Sequence, residues 1–160
     1  TLNEAGRLAG VEPAFEPAAE HDSPGLGDLD RVLEIDAASM EFLGAWFGFA
    51  TALLEELRVS PEAQDVGRIQ LWPGHLDAAV EIGSQEAGQR ATYGASPGDH
   101  AHEEPYLYVG AWSDVDRTDP YWNETNFNGA SLAYVDILAA DDQFGFALEF
   151  VRSGLAKLTG

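Results

Sequence analysis

Apolar residues recur at three- and four-residue spacing between Ala37 and Leu57, with Leu43, Trp46, Phe47, Ala50, Leu54 and Leu57 on one stripe. That period predicts an amphipathic helix, with Asp36 as its N-cap and Pro61 and Gly67 marking the break after it. From Arg68 onward the period changes to two. Leu76, Ala78, Val80 and Ile82 alternate with His75, Asp77, Ala79 and Glu81. Tyr106, Tyr108, Gly110 and Trp112 alternate with Leu107, Val109 and Ala111. Leu132, Tyr134, Asp136 and Leu138 alternate with Ala133, Val135 and Ile137. These patterns predict three half-buried strands, and Arg90 to Ala95 supplies a fourth. A second amphipathic helix is expected from Asp142 to Leu158, burying Phe144, Leu148, Val151, Leu155 and Leu158.

Short connections without helical periodicity favour antiparallel pairing. The expected fold is therefore α+β: an antiparallel sheet of about four strands, with two long amphipathic helices on one face. Residues 2–10 can form a short helix, and Pro13, Pro17, Pro24, Gly25 and Gly27 make the following stretch a surface connection. The division is residues 1–30 as helix and connection, and residues 31–160 as the α+β domain.

If the strands share a sheet, one face is aliphatic: Leu76, Ala78, Val80, Ile82, Leu107, Val109, Ala111, Val135 and Ile137. The other carries His75, Asp77, Glu81, Tyr106, Tyr108, Trp112, Tyr134 and Asp136. Aromatic rings among carboxylates suit cations through the ring quadrupole, or sugars through stacking and acceptor oxygens. A half-exposed face, or one covered by another module, accounts for the same residues.

Composition narrows the classes of partner. The chain has 160 residues, and 45% of them are hydrophobic, which is enough to form a core. Its net charge of −20 repels nucleic acid and anionic lipid, so neither nucleic acid nor membrane is an expected partner. No apolar run reaching the ~20 residues of a membrane helix is evident in the sequence. Cysteine is absent, which removes disulfides, thiolate zinc sites and thiol nucleophiles. The start Thr1-Leu2-Asn3 is not a charged-then-apolar leader, which makes the cytoplasm the expected location.

Chemistry-bearing residues are densest from Tyr93 to Tyr106. Ser96-Pro97-Gly98-Asp99 predicts a type II turn that leaves Asp99 either accepting backbone N–H groups or facing the His75/Asp77 surface. His100 and His102 are two apart, but flexible imidazoles without a rigid third ligand are not expected to hold zinc, and no metal ligands are assigned. A cupin-like spacing of Gly94 and His-x-His fails because the required glutamate and second motif are missing. Asp114 to Thr125 fails as an EF-hand, having Asp119 at position six and Thr125 at position twelve. Neither a nucleophile elbow nor a phosphate loop occurs, so the cofactor stays unknown.

Three ordered motifs carry a family resemblance: Leu71-Trp72-Pro73-Gly74-His75-Leu76-Asp77, Tyr93-Gly94-Ala95-Ser96-Pro97-Gly98-Asp99, and Glu104-Pro105-Tyr106-Leu107-Tyr108-Val109. With Tyr121-Trp122-Asn123, Gly129-Ala130-Ser131-Leu132 and Leu148-Glu149-Phe150, the chain resembles an uncharacterised family of actinobacterial proteins over residues 37–158. The resemblance implies that this is the C-terminal portion of a longer chain, and it lends no residue a catalytic role. His100 departs from the acidic residue usual in that family.

The leading expectation is a domain that binds a small molecule on the tyrosine-rich acidic face, through His75, Asp77, Asp99, Tyr106, Tyr108, Trp112, Tyr134 and Asp136. A metal-dependent or carboxylate-based hydrolase using the same groups stays open, as does a structural or protein-interaction module. Asp77 and Asp136 are the carboxylates that acid–base work on a glycoside would use. Oligomeric state is not readable.

Overall fold

The computed structural model describes residues 1–11 and 27–160, so the expected Pro13-to-Gly25 connection lies outside the described residues. The described chain divides into two units, Thr1–Phe42 and Leu43–Gly160.

In the first unit, helix α1 (Leu2–Ala9) begins at a capping box. The Thr1 side chain accepts from the Glu4 N–H, and the Glu4 side chain accepts from the Thr1 backbone nitrogen. Gly10, at φ 70°, ends the helix in the left-handed conformation that glycine adopts most readily. Asn3 ties α1 to the segment before helix α2, its N–H donating to the Leu29 carbonyl and its side chain to Asp30.

Helix α2 (Ala37–Arg58) runs as the periodicity predicts, and Asp36 accepts from the Ser39 N–H at 2.8 Å as an N-cap does. Its buried positions are Trp46, Ala50, Leu53, Leu54 and Leu57. The expectation that no segment reaches membrane-spanning length and apolarity is corrected here. Over its 22 residues, α2 is long and apolar enough by composition, although the stripe just named is buried within this fold.

The second unit holds a five-stranded antiparallel meander in the order β1-β2-β3-β4-β5. The strands are β1 (Gln70–Trp72), β2 (Asp77–Ile82), β3 (Ala91–Ser96), β4 (Tyr106–Ala111) and β5 (Gly129–Ala133). The fold is α+β with an open antiparallel sheet. The strand beyond the expected four is β1, whose three residues are too few for a period of two to register. It pairs with β2 through the hairpin Pro73-Gly74-His75-Leu76, with Trp72 opposite Asp77. Leu76, expected on the aliphatic face, instead sits exposed in that turn at φ 52°.

The pairing of Ala78 with Ala95, Val80 with Tyr93 and Ile82 with Ala91 continues to Leu107, Val109 and Ala111 in β4. These residues form the expected aliphatic face, with Tyr93 at its centre, fully buried. Helix α4 (Gln143–Thr159), capped by Asp142 through the Gly145 N–H at 2.9 Å, packs on that face. Gly154 permits the approach, since a Cβ there would lie 2.5 Å from the Tyr121 hydroxyl and 3.0 Å from Val109. Phe49 of α2 meets Phe144 of α4 edge-on at 5.8 Å, and Trp46 donates from Nε1 to the Ser96 carbonyl at the end of β3.

The third expected strand is corrected in its second half. Chain pairing stops at Ala133, and Tyr134–Ala139 is helix α3. Tyr134, Ile137 and Leu138 also satisfy three- and four-residue spacing, and short apolar runs do not discriminate the two periods. Ile137 is 2% exposed and Val135 63%, a helical division rather than an aliphatic sheet face.

Candidate functional site

Alternate residues of the same strands put Asp77, Glu81, Thr92, Gly94, Ser96, Tyr106 and Tyr108 on the sheet's second face. Gly94 and Tyr108 are cross-strand partners. A Cβ on Gly94 would lie 2.5 Å from the Tyr108 ring, so the missing side chain is what lets that ring lie over the sheet. The Tyr108 hydroxyl then donates to Asp77 Oδ2. Burial, followed by the charge and acceptor of Asp77, pushes the Tyr108 phenol far above its ordinary pKa.

The neighbouring tyrosine repeats the arrangement. Tyr106 donates to Asp99 Oδ2 at 2.7 Å, while Asp99 Oδ1 accepts from the backbone N–H groups of Ala101 at 2.7 Å and His102 at 2.9 Å. Asp99 therefore accepts backbone N–H groups with one oxygen and the Tyr106 hydroxyl with the other. Gly98 takes the positive φ, 112°, that the Pro97-Gly98 signal predicts, but the expected type II turn is not closed: the Asp99 N–H donates to the His102 carbonyl, and the Ser96 carbonyl accepts from Trp46. Burial acts to raise the Asp99 carboxyl, but the bonds from Tyr106, His102 and Ala101 outweigh it and hold the group below the ordinary aspartate range. Burial and Asp99 together push the Tyr106 phenol upward.

His102 stacks on Tyr106 with ring centroids 4.3 Å apart, and its Nε2 lies 2.7 Å from Glu124 Oε1. The Ser131 hydroxyl donates to the same oxygen at 2.5 Å. Burial opposes ionisation of Glu124, yet Ser131 and His102 hold it below the ordinary glutamate range. Arg117 braces this loop by donating to the Glu124 carbonyl at 2.5 Å and the Phe127 carbonyl at 3.1 Å. That brace sets Phe127 edge-on to Tyr108 at 6.1 Å.

These groups surround a concavity of about 370 Å³ lined by His75, Asp77, Thr92, Ser96, Asp99, Tyr106, Tyr108, Gly110 and Phe127. Five of the eight expected residues meet there: His75, Asp77, Asp99, Tyr106 and Tyr108. Trp112 stands beside it, half-exposed just past β4. It donates to Thr92 Oγ1 at 3.2 Å and carries the Arg90 guanidinium 5.1 Å from its ring. Tyr134 and Asp136 are corrected. Because α3 begins at Tyr134, that ring turns edge-on to Trp46 at 5.5 Å, and Asp136 is exposed on the helix.

Thr92, Ser96, Gly110 and Phe127 line the hollow without having been anticipated. The alternation of β3 would have assigned Thr92 and Ser96, but nothing in Asn126-Phe127-Asn128 announces a wall. The Glu124–Ser131–His102 network was likewise not legible. Among the described residues, no three of His, Asp and Glu come together as metal ligands.

The domain is thus an α+β antiparallel meander with α4 against its aliphatic face and a tyrosine–carboxylate hollow on the other. The chain matches no family model, no curated protein and no solved structure.

Proposed function

We propose that the Leu43–Gly160 unit binds a small molecule in the hollow on the tyrosine-bearing face. The observation that supports this most is convergence. Residues from a hairpin turn, three strands and two loops enclose one concavity of about 370 Å³, a size suited to a small polar ligand. Tyr106, Tyr108 and Phe127 offer ring surface, while Asp77 and Asp99 offer acceptors.

Binding is favoured over acid–base catalysis by the state of the groups. Asp99 is held below the ordinary carboxylate range, so it is an acceptor rather than a proton donor near neutrality. Both phenols are pushed upward and stay protonated. An interaction module is less well supported, because such a face is expected to be broad and flat.

The test is a ligand-observed NMR screen of protonated amines, neutral sugars and small carboxylates. It would be run on the unaltered protein and on Gly110→Leu. A Cβ at Gly110 meets only the Thr92 carbonyl, at 3.9 Å, so the strand admits a side chain that occupies the hollow. The expected outcome is that one class binds the unaltered protein and loses its signal in the folded variant. If no class distinguishes the two proteins, the reading fails.

A further inference from the structure

Asp77 is 5% exposed, and its two oxygens are treated differently. Oδ2 accepts from Tyr108, whereas Oδ1 is buried and has no partner among the described residues. A buried carboxylate oxygen with no donor is costly, and native structures seldom leave one unmatched.

The place of the Asp77 side chain matters as much as its unpaired oxygen. A second hollow of about 260 Å³, lined by Trp72, His75, Asp77, Glu81, Thr92 and Tyr108, adjoins the first. The two share His75, Asp77, Thr92 and Tyr108, so Asp77 stands at their seam, bordered by the Tyr108 and Trp72 rings.

Among the described residues, no ion pair is made to Asp77. Arg90, which pairs with Glu81 at 2.6 Å, is also engaged by the Gly83 carbonyl at 3.1 Å and by the Trp112 ring. Glu81 is thereby paired, while Asp77 is met only by the Tyr108 hydroxyl. A net charge of −20 further enriches cations at the surface. A partner that brings both a hydrogen and a positive charge, and that tolerates aromatic walls, suits this carboxylate.

Resting on the binding reading above, we infer that the ligand carries a protonated primary or secondary amine that pairs with the Asp77 carboxylate at the seam of the two hollows. A quaternary ammonium brings the charge without the hydrogen. A sugar hydroxyl brings the hydrogen without the charge. A metal ion lacks a ligand set here, as the described residues provide no cluster of three His, Asp or Glu groups.

Three probes that share a benzyl group separate these cases: benzylamine, benzyltrimethylammonium and benzyl alcohol, titrated calorimetrically at neutral pH. In the unaltered protein, benzylamine should bind at least about tenfold more tightly than either of the others. Asp77→Asn, shown to be folded by its melting curve, should lose about tenfold or more of the benzylamine affinity. Should that variant fail to fold, the order of the three probes on the unaltered protein still tests the inference. Equal binding of the quaternary compound or the alcohol would overturn it, as would full retention of affinity in folded Asp77→Asn. If benzyl alcohol binds and Gly110→Leu abolishes it while benzylamine does not bind, the hollow stands as a site and only the amine fails. Absence of binding by all three, together with a blank screen against Gly110→Leu, removes both.

Discussion

The two faces of the sheet are made from alternate residues of the same strands, yet they are held by different physics. On one face Val80, Ile82, Leu107 and Val109 are essentially inaccessible, and their contribution is apolar area removed from water. On the other face, carboxylates of the strand and turn each accept from a tyrosine, Asp77 from Tyr108 and Asp99 from Tyr106. The aliphatic face is filled, while the polar face keeps a hollow. Loss of a methylene should therefore cost most on the first face, and loss of a single hydroxyl or addition of a single methyl most on the second.

The largest expected effect is on the filled face. Leu107→Ala removes a side chain that is 1% exposed, and it should cost about 2–5 kcal/mol in urea denaturation. A loss below about 1 kcal/mol would mean that the site collapses easily and that the contrast between the faces is weak.

On the open face the corresponding perturbation is an addition. Gly94→Ala drives a methyl into the Tyr108 ring, which must move off Asp77. Overpacking of this kind should cost about 1–3 kcal/mol and shift the Tyr108 ring resonances in NMR spectra. Unchanged Tyr108 resonances would show that the ring is not seated over Gly94.

How much of this contrast was legible follows from which signals are local. The alternation in Asp77–Ile82 and Tyr106–Ala111 assigns side chains to faces by itself, so Asp77, Tyr106 and Tyr108 could be placed together from sequence. Pro97-Gly98 marked the bend that delivers Asp99. Three kinds of information were not local. The three-residue strand β1 exists through its hairpin partner, which pairs Trp72 with Asp77. Residues 134–139 fit either period, and the choice of helix is made where Tyr134 meets Trp46. Phe127 and Glu124 reach the site from a loop whose course is set by Arg117, bonded to backbone carbonyls that no sequence pattern encodes.

A smaller effect tests the tyrosine–carboxylate pairs. Tyr106→Phe removes the donor to Asp99 Oδ2 and should cost about 1–2 kcal/mol near neutral pH. The sign with pH follows from the direction of the shift. Asp99 is held below its ordinary value in the folded state, so its contribution is fully present above the unfolded aspartate pKa, about 4. It is lost as pH falls through the lower folded value. The variant should therefore differ from the unaltered protein most above pH ~4 and converge on it in acid. A difference that grows as pH falls would assign the stabilisation to another group.

The smallest expected effect tests whether Asp136 belongs to the site, at the point where the two periods were ambiguous. The sequence pattern alone puts Asp136 on the tyrosine-bearing face with Asp77, where its charge would add to any attraction for a cation, but the pairing of Tyr106 with Ala133 and of Leu107 with Leu132 would turn an extended Asp136 to the aliphatic face. In α3 it is exposed in the first helical turn, where a carboxylate is mildly favourable beside unpaired backbone N–H groups. Asp136→Asn should then lower stability by no more than about 0.5 kcal/mol, because solvent screens an exposed charge and the amide can still accept. It should leave the benzylamine affinity unaltered, whereas Asp77→Asn should reduce it. Measuring the two variants side by side gives each a control of identical charge change, −1 to 0, at a different place in the fold. A fall in benzylamine affinity for Asp136→Asn as large as that for Asp77→Asn would place Asp136 at the site, against both helix α3 and the register of β5. It would also move the edge of the site past β5.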